Sequence, residues 1–342
     1  MTGNKATAST AAAAVLLLAA FVLSAVTGAI EVSAADAGRI VIGHLVPGMT
    51  WMTDGSLTPL EDQAVWKFRL PRTLLAAVSG ASLALAGALM QAVVRNPLAE
   101  PYILGVSAGA GTGAVTVVVF GLLSTVSLSI AAFAGALVAT VAVVAVARDG
   151  ARISPYRLIL GGAALGALFS AITSYLTLTT EAQNVFTIMF FLLGSVSAAT
   201  MHSLVVPMIA FVAVFALGLR YGRDLNALAA GDDLAVSLGV DVNRLRAVLL
   251  VSAALLTAAV VAVAGSIGFV GLIVPHISRM IVGVDHRRLL PFAVVLGALF
   301  LVVADLLART VAAPAEVPIG IITSVTGAPF FLWLMRRSRV AE

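Results

Sequence analysis

The sequence predicts an all-α polytopic membrane protein with about ten transmembrane helices, each needing roughly 20 apolar residues. Three observations carry that reading. Of the 342 residues, 61% are hydrophobic and 11% are charged, whereas a soluble domain carries about a quarter charged residues. Mean hydropathy is +1.10. The apolar residues also come in long runs without polar alternation, which excludes the alternating strands of a transmembrane β-barrel. The same composition excludes a soluble globular enzyme, whose surface it could not cover, and a disordered chain.

The first apolar run covers residues 11–30, after a tail of residues 1–10 that holds Lys5. Val32-Ser33-Ala34 resembles a signal-peptidase site, but the run exceeds the roughly 7–15 residues of a signal peptide and is read as a retained helix. Residues 34–66 form an external polar loop with Asp36, Asp54, Glu61 and Asp62, punctuated by Pro47, Gly48, Gly55 and Pro59. The next runs are 71–94, 102–121, 127–147, 157–178, 186–219, 246–264, 266–283, 289–308 and 318–335. Residues 186–219 are too many for one span, so part of that run lies along the interface or re-enters. The runs on either side of Gly265 are separated only by a turn. Between them and the earlier spans, residues 221–243 form a long polar loop. Asp232 or Asp233 can start a helix there and Gly239 can close it, which predicts one or two short helices on the membrane surface.

Charge sets the orientation. If the N-terminus is inside and all ten runs cross, 15 of the 20 basic residues fall inside; Arg39, Lys67, Arg69, Arg72 and Arg309 lie outside. That bias is what the positive-inside rule expects and places both termini in the cytoplasm. The pI near 10.0 therefore reports cytoplasmic loop charge, with no nucleic-acid partner.

The residues offer little catalytic chemistry. The chain has no cysteine and only two lysines, Lys5 and Lys67. Neither lysine follows a glycine-rich phosphate loop, so the nucleotide-binding P-loop motif is missing. His44, His202, His276 and His286 have no paired metal spacing. No catalytic or metal site is expected. Asp305 and Arg309 share a helix face at i,i+4, which reads as an ion pair near an outer helix end rather than a proton relay. His276, after Pro275, reads as a hydrogen-bonded packing residue. Gln91, Arg95 and Asn96 read as the end of the second span. Two small-residue stripes, Gly105-Gly109-Gly113 and Gly80-Ala84-Ala88, permit close helix approach in lipid. Pro97, Pro101, Pro275, Pro318 and Pro329 sit near span ends or breaks, as in transporters with discontinuous helices.

Several segments, in order, resemble one family. Arg69-Leu70-Pro71-Arg72 opens the second span, and Gly87-Ala88-Leu89-Met90-Gln91 follows. Asn96-Pro97-Leu98-Ala99-Glu100-Pro101 leads into Leu104-Gly105-Val106-Ser107-Ala108-Gly109. Beyond the loop at 231–240 come Gly268-Phe269-Val270-Gly271-Leu272-Ile273-Val274-Pro275-His276, Asp285-His286-Arg287, Ala315-Glu316-Val317-Pro318-Ile319-Gly320 and Gly327-Ala328-Pro329-Phe330. From about residue 65 to 337 the chain resembles the FecCD permeases, the BtuC-like subunits of type II ABC importers.

The resemblance implies a single permease domain over 1–342 in the bacterial cytoplasmic membrane. It would pair with a second, identical or related permease, with two cytoplasmic ATPase subunits below and a substrate-binding protein above. ATP and Mg would be used by the ATPase, with no cofactor bound by this chain. The implied cargo is an iron–siderophore complex, with cobalamin or haem as alternatives. An ion-coupled secondary transporter is the remote alternative, with Asp305 as its one candidate acid, and a structural scaffold would leave the 221–243 loop unexplained. The loop would be the ATPase-coupling helix: Asp232 and Asp233 start it, Leu234, Val236, Leu238 and Val240 supply apolar contact, and Gly239 ends it. Ser154-Pro155-Tyr156 would form a cytoplasmic gate, and spans 157–178 and 318–335 would face the pore. Arg69, Arg72 and Arg309, which lie outside against the charge bias, would dock glutamates of the binding protein.

Overall fold

The computed structural model describes residues 3–149 and 152–338; Arg339, one of the basic residues assigned to the inside, lies outside the described residues. The first helix, α1, spans Gly3–Val26. It starts within the expected tail because residues 5–14 are rich in alanine, the strongest helix former.

Residues 34–66 are not a plain loop. They hold α2 (Ala34–Leu45) and α3 (Pro59–Asp62). Ser33 caps α2 by accepting from the Asp36 amide, and Thr58 with Glu61 forms a capping box on α3. These local caps, together with burial of Ala37 and Ile40, outweigh the turn residues. His44 Nε2 lies 2.7 Å from Asp62 Oδ1 and its ring stacks on Trp66 at 4.2 Å, which ties α2 to α3. A π-helical stretch, Gln63–Arg69, then leads directly into α4 (Leu70–Val94).

Helix α4 is the axis of the molecule and is buried along nearly its whole length. It packs against α12 (Val242–Ala264), α13 (Val270–Val282) and α14 (His286–Thr310). Small residues permit this: a Cβ on Gly80 would collide with the Gly297 carbonyl, and one on Gly87 with the Gly271 carbonyl. Helices α5 (Val106–Val119) and α6 (Leu128–Ala147) are joined the same way, Gly109 and Gly113 against Gly135. Without a hydrophobic force between helices in lipid, such backbone proximity supplies the attraction. Gly105 leaves the stripe and takes φ 69 as the cap of α5.

A two-residue antiparallel pairing, Arg148–Asp149 with Arg152–Ile153, turns the chain into α7 (Pro155–Leu178). The 186–219 run is broken rather than one long helix. It divides into α8 (Ala182–Leu193), about 18 Å long at 1.5 Å per residue, and α9 (Val205–Arg220). After α8 the chain turns at Gly194 (φ 75), and the Ser195 amide donates to the Ala264 carbonyl at 2.8 Å. The 221–243 loop holds α10 (Gly222–Ala230) and α11 (Asp232–Ser237), and α15 spans Ile319–Ser338.

Among the described residues seven helices are long and apolar enough to cross a membrane; α5, α8, α13 and the apolar part of α15 are shorter. The seven long helices with α5, α13 and α15 match the expected count of about ten, and α8 is the short first piece of the 186–219 run. The breaks that shorten α5 and α13 satisfy each other. The Tyr102 hydroxyl donates to the Ile267 carbonyl (3.0 Å), Ser107 Oγ donates to Ser266 Oγ (2.7 Å), and the Phe269 amide donates to the Glu100 carboxylate (2.8 Å). Irregular backbone survives within such a bundle only when enclosed by protein in this way. Pro275 denies the Gly271 carbonyl its helical donor, and the buried Gln91 Nε2 fills that role at 3.3 Å. Gln91 is therefore a brace for α13, not simply a helix end.

Candidate functional site

The two ends of α4 carry different chemistry. At its start, Arg69, Arg72 and Arg309 converge. Arg72 Nε donates to Asp305 Oδ1 at 2.8 Å and its Nη1 to Glu316 Oε1 at 2.7 Å. Arg309 Nε lies 3.3 Å from Asp305 Oδ2, and its Nη2 donates to Ser24 Oγ at 2.6 Å. Arg69 donates to the carbonyls of Ala25 (2.7 Å), Val26 (3.2 Å) and Ile30. Arg69 and Arg309 thus place cations on the carbonyl-rich end of α1, where the helix dipole favours them.

The i,i+4 pairing of Asp305 with Arg309 is as the spacing predicts. Position on the helix end, however, does not leave the forks free: Arg69 is 6% exposed and Arg72 8%. The three cations line a cavity of about 320 Å³ together with Glu316, Phe68 and Ser197. Glu316 is the residue that sequence reading passed over. It stands in a quoted motif, but no local spacing links it to Arg72.

At the far end of α4, α11 is a six-residue helix. Asp232 and Asp233 occupy its first turn, although Gly231 is the capping residue and no side chain caps it. Asp232 instead accepts from Arg246 Nη2 at 2.8 Å and lies 3.5 Å from Arg95, pinning the helix to α12 and α4. Gly239 (φ 81) closes it: its amide donates to the Val236 carbonyl and the Val240 amide to the Ala235 carbonyl, a Schellman closure. Ala235 is buried, while Leu234, Val236 and Leu238 are 48%, 63% and 65% exposed. Val240 packs inward against the core.

Ser154 caps α7 by accepting from the Arg157 amide, Pro155 is its first residue, and Tyr156 is 70% exposed. His276 makes no side-chain hydrogen bond among the described residues; it borders Phe330 and Phe331 of α15. No cluster of three His, Asp or Glu side chains that could hold a metal occurs among the described residues.

Residues 16–337 match the model of the FecCD transport family. The chain is 39% identical to the cobalamin import system permease protein BtuC of Halobacterium salinarum, covering 98% of each chain. It is 40% identical to the Fe(3+) dicitrate transport system permease protein FecD of Escherichia coli, over 86% of this chain and 92% of that one. A solved inward-facing ABC transporter of metal-chelate type superimposes with a TM-score of 0.82 at 32% identity, over 96% of this chain and 98% of the other. The ten-span bundle and these likenesses define a multi-pass membrane permease subunit of an ABC importer. The chain belongs to the FecCD transport family.

Proposed function

We propose that this chain is one of two permease subunits in the plasma membrane that pass an iron–siderophore complex inward, driven by two cytoplasmic ATPase subunits. The observation that carries the reading is α11, with three apolar side chains held out from a buried base. A permease subunit of an ABC importer takes its driving energy from an ATPase, and this helix offers the contact. Both termini are then cytoplasmic, as the basic-residue bias requires, and the arginine cluster faces out.

In this reading a binding protein docks on the rim around Arg69, Arg72 and Arg309. Because these forks are engaged inside the chain, they set the shape and field of the docking surface, and the exposed Glu316 adds to it. Such charges steer association and fix register more than they add affinity. Asp305, the acid that an ion-coupled carrier would use, is held by Arg72 and Arg309.

Cobalamin is the second reading for the cargo, favoured by the Halobacterium salinarum relative that matches over 98% of the chain. Haem is the third candidate. Purifying the intact complex and identifying the retained chelate by metal analysis and mass spectrometry decides among them. Uptake driven by an ion gradient with no ATPase co-purifying would overturn the importer reading.

Tyr156, exposed at the start of α7, is the candidate gate. Tyr156→Ala is expected to make resting complexes in vesicles leak chelate several-fold faster than the parent, about 1 kcal/mol for a fivefold change. Leakage equal to the parent would remove Tyr156 from the gate.

A further inference from the structure

At the α11 end, the last turn of α4, helix α10 and the turn between α13 and α14 enclose a cavity of about 660 Å³. Gln91, Arg95, Asn96, Asn226, Arg279 and Val284 are on its wall. Its charges are unbalanced. Asp285 accepts from Asn226 Nδ2 at 2.8 Å and from Arg287 Nη2 at 3.1 Å. The hydrogen bond from Arg287, with help from Asn226, holds the Asp285 carboxyl down at about 2, so it is ionised and already neutralised. Arg95 is shared with Asp232. Arg279 is different. Its Nη1 donates to the neutral Gln91 Oε1 at 2.5 Å, and no carboxylate pairs with it among the described residues.

Arg279 is partly exposed, so water can reach its remaining donors through the cavity mouth. A protein surface laid over that mouth would remove this water. An arginine desolvated without a partner is strongly unfavourable, and a covering surface satisfies it best by bringing an acid. The mouth also adjoins α11, since Arg95 on the cavity wall contacts the first residue of that helix. A partner seated on α11 therefore covers it.

We infer that this cavity receives an acidic side chain of the cytoplasmic ATPase subunit, with Arg279 as its counter-charge, in a second contact beside the coupling helix. The inference rests on the importer reading above and adds an electrostatic contact to the apolar one on α11. The planar guanidinium can grip a carboxylate through two parallel hydrogen bonds. The cavity has room for the tip of a loop as well as the carboxylate. The apolar contact supplies burial, and the charged one fixes the register in which the ATPase sits.

A photo-crosslinking residue at Val284, which is 74% exposed on the cavity rim, tests this in the assembled complex with Arg279 intact. The expected product is an ATPase peptide containing Asp or Glu. In parallel, Arg279→Glu is expected to lower ATPase retention on the purified permease about tenfold or more, with Arg279→Lys in between. Reversing the cross-linked ATPase acid to Arg is expected to restore retention to Arg279→Glu. An unchanged melting temperature shows that the variant is folded. Cross-links to lipid alone, or to no ATPase peptide, would overturn the inference. So would Arg279→Glu holding the ATPase like the parent while Leu238→Glu loses it; the importer reading then stands. If both variants hold the ATPase like the parent, the seating role given to α11 fails as well; a parent permease that retains no ATPase would instead overturn the importer reading.

Discussion

Asp305→Ala is expected to destabilise the folded permease by about 3–5 kcal/mol, the usual loss when one partner of a buried ion pair is removed. Asp305 is 1% exposed and lies between Arg72 and Arg309. Without it, Arg309 keeps only the Ser24 and Thr27 oxygens at the end of α1, and Arg72 keeps Glu316. Three helices, α1, α4 and α14, lose their shared charge. Unfolding in detergent, followed by denaturant or heat, checks the figure. Asp305→Asn should lose less, because its amide oxygen can still accept from Arg72. A double variant, Asp305→Ala with Arg309→Met, should be less destabilised than the sum of the two single changes, since the orphaned cation is then gone. An Asp305→Ala protein that unfolds with the parent would show that the cluster does not hold these helices.

Leu238→Glu is expected to weaken ATPase seating and to abolish uptake, uncoupling hydrolysis by whatever ATPase remains bound. The side chain is 65% exposed at the end of α11. Full burial of a leucine contributes about 1.5–3 kcal/mol, and forcing a carboxylate into the same apolar contact adds a desolvation penalty. The helix itself should survive, because Gly239 and the Asp232 ion pairs hold it from within. Circular dichroism unchanged from the parent, with uptake lost in vesicles, is the expected pair of results. Normal substrate-stimulated hydrolysis and uptake would refute the role given to α11. A bulky charge in place of Gly239 should act differently, since its φ of 81 disfavours any side chain. That change unwinds the end of the helix as well as altering its surface.

Much of the site could be read in advance where the signal was local. Gly239 announces a helix end because a left-handed residue costs least as glycine, and the structure shows that closure. Asp305 and Arg309 are legible as a pair because four residues bring side chains to one helix face. Asp232 was misjudged in detail for the converse reason. Its position suggested a cap, but two arginines from α4 and α12 compete for the same carboxylate and win it. The helices within residues 34–66 escape a sequence reading that weighs glycines and prolines above the two capping motifs that start α2 and α3.

By itself, the sequence determined the spans. A bilayer demands about 20 apolar residues wherever a helix crosses, and this requirement leaves its mark on each segment independently of its neighbours. Even the overlong 186–219 run announced that something other than a single crossing was there. Only the tertiary structure decided which residues meet. Arg72 finds Asp305 and Glu316 across 233 and 244 residues, Gln91 finds the carbonyl that Pro275 frees, and Gly80 finds Gly297. None of these pairings has a local pattern. They follow from helices packed so closely that Arg72 and Gln91, cut off from water, are satisfied by the partners the packing brings within reach.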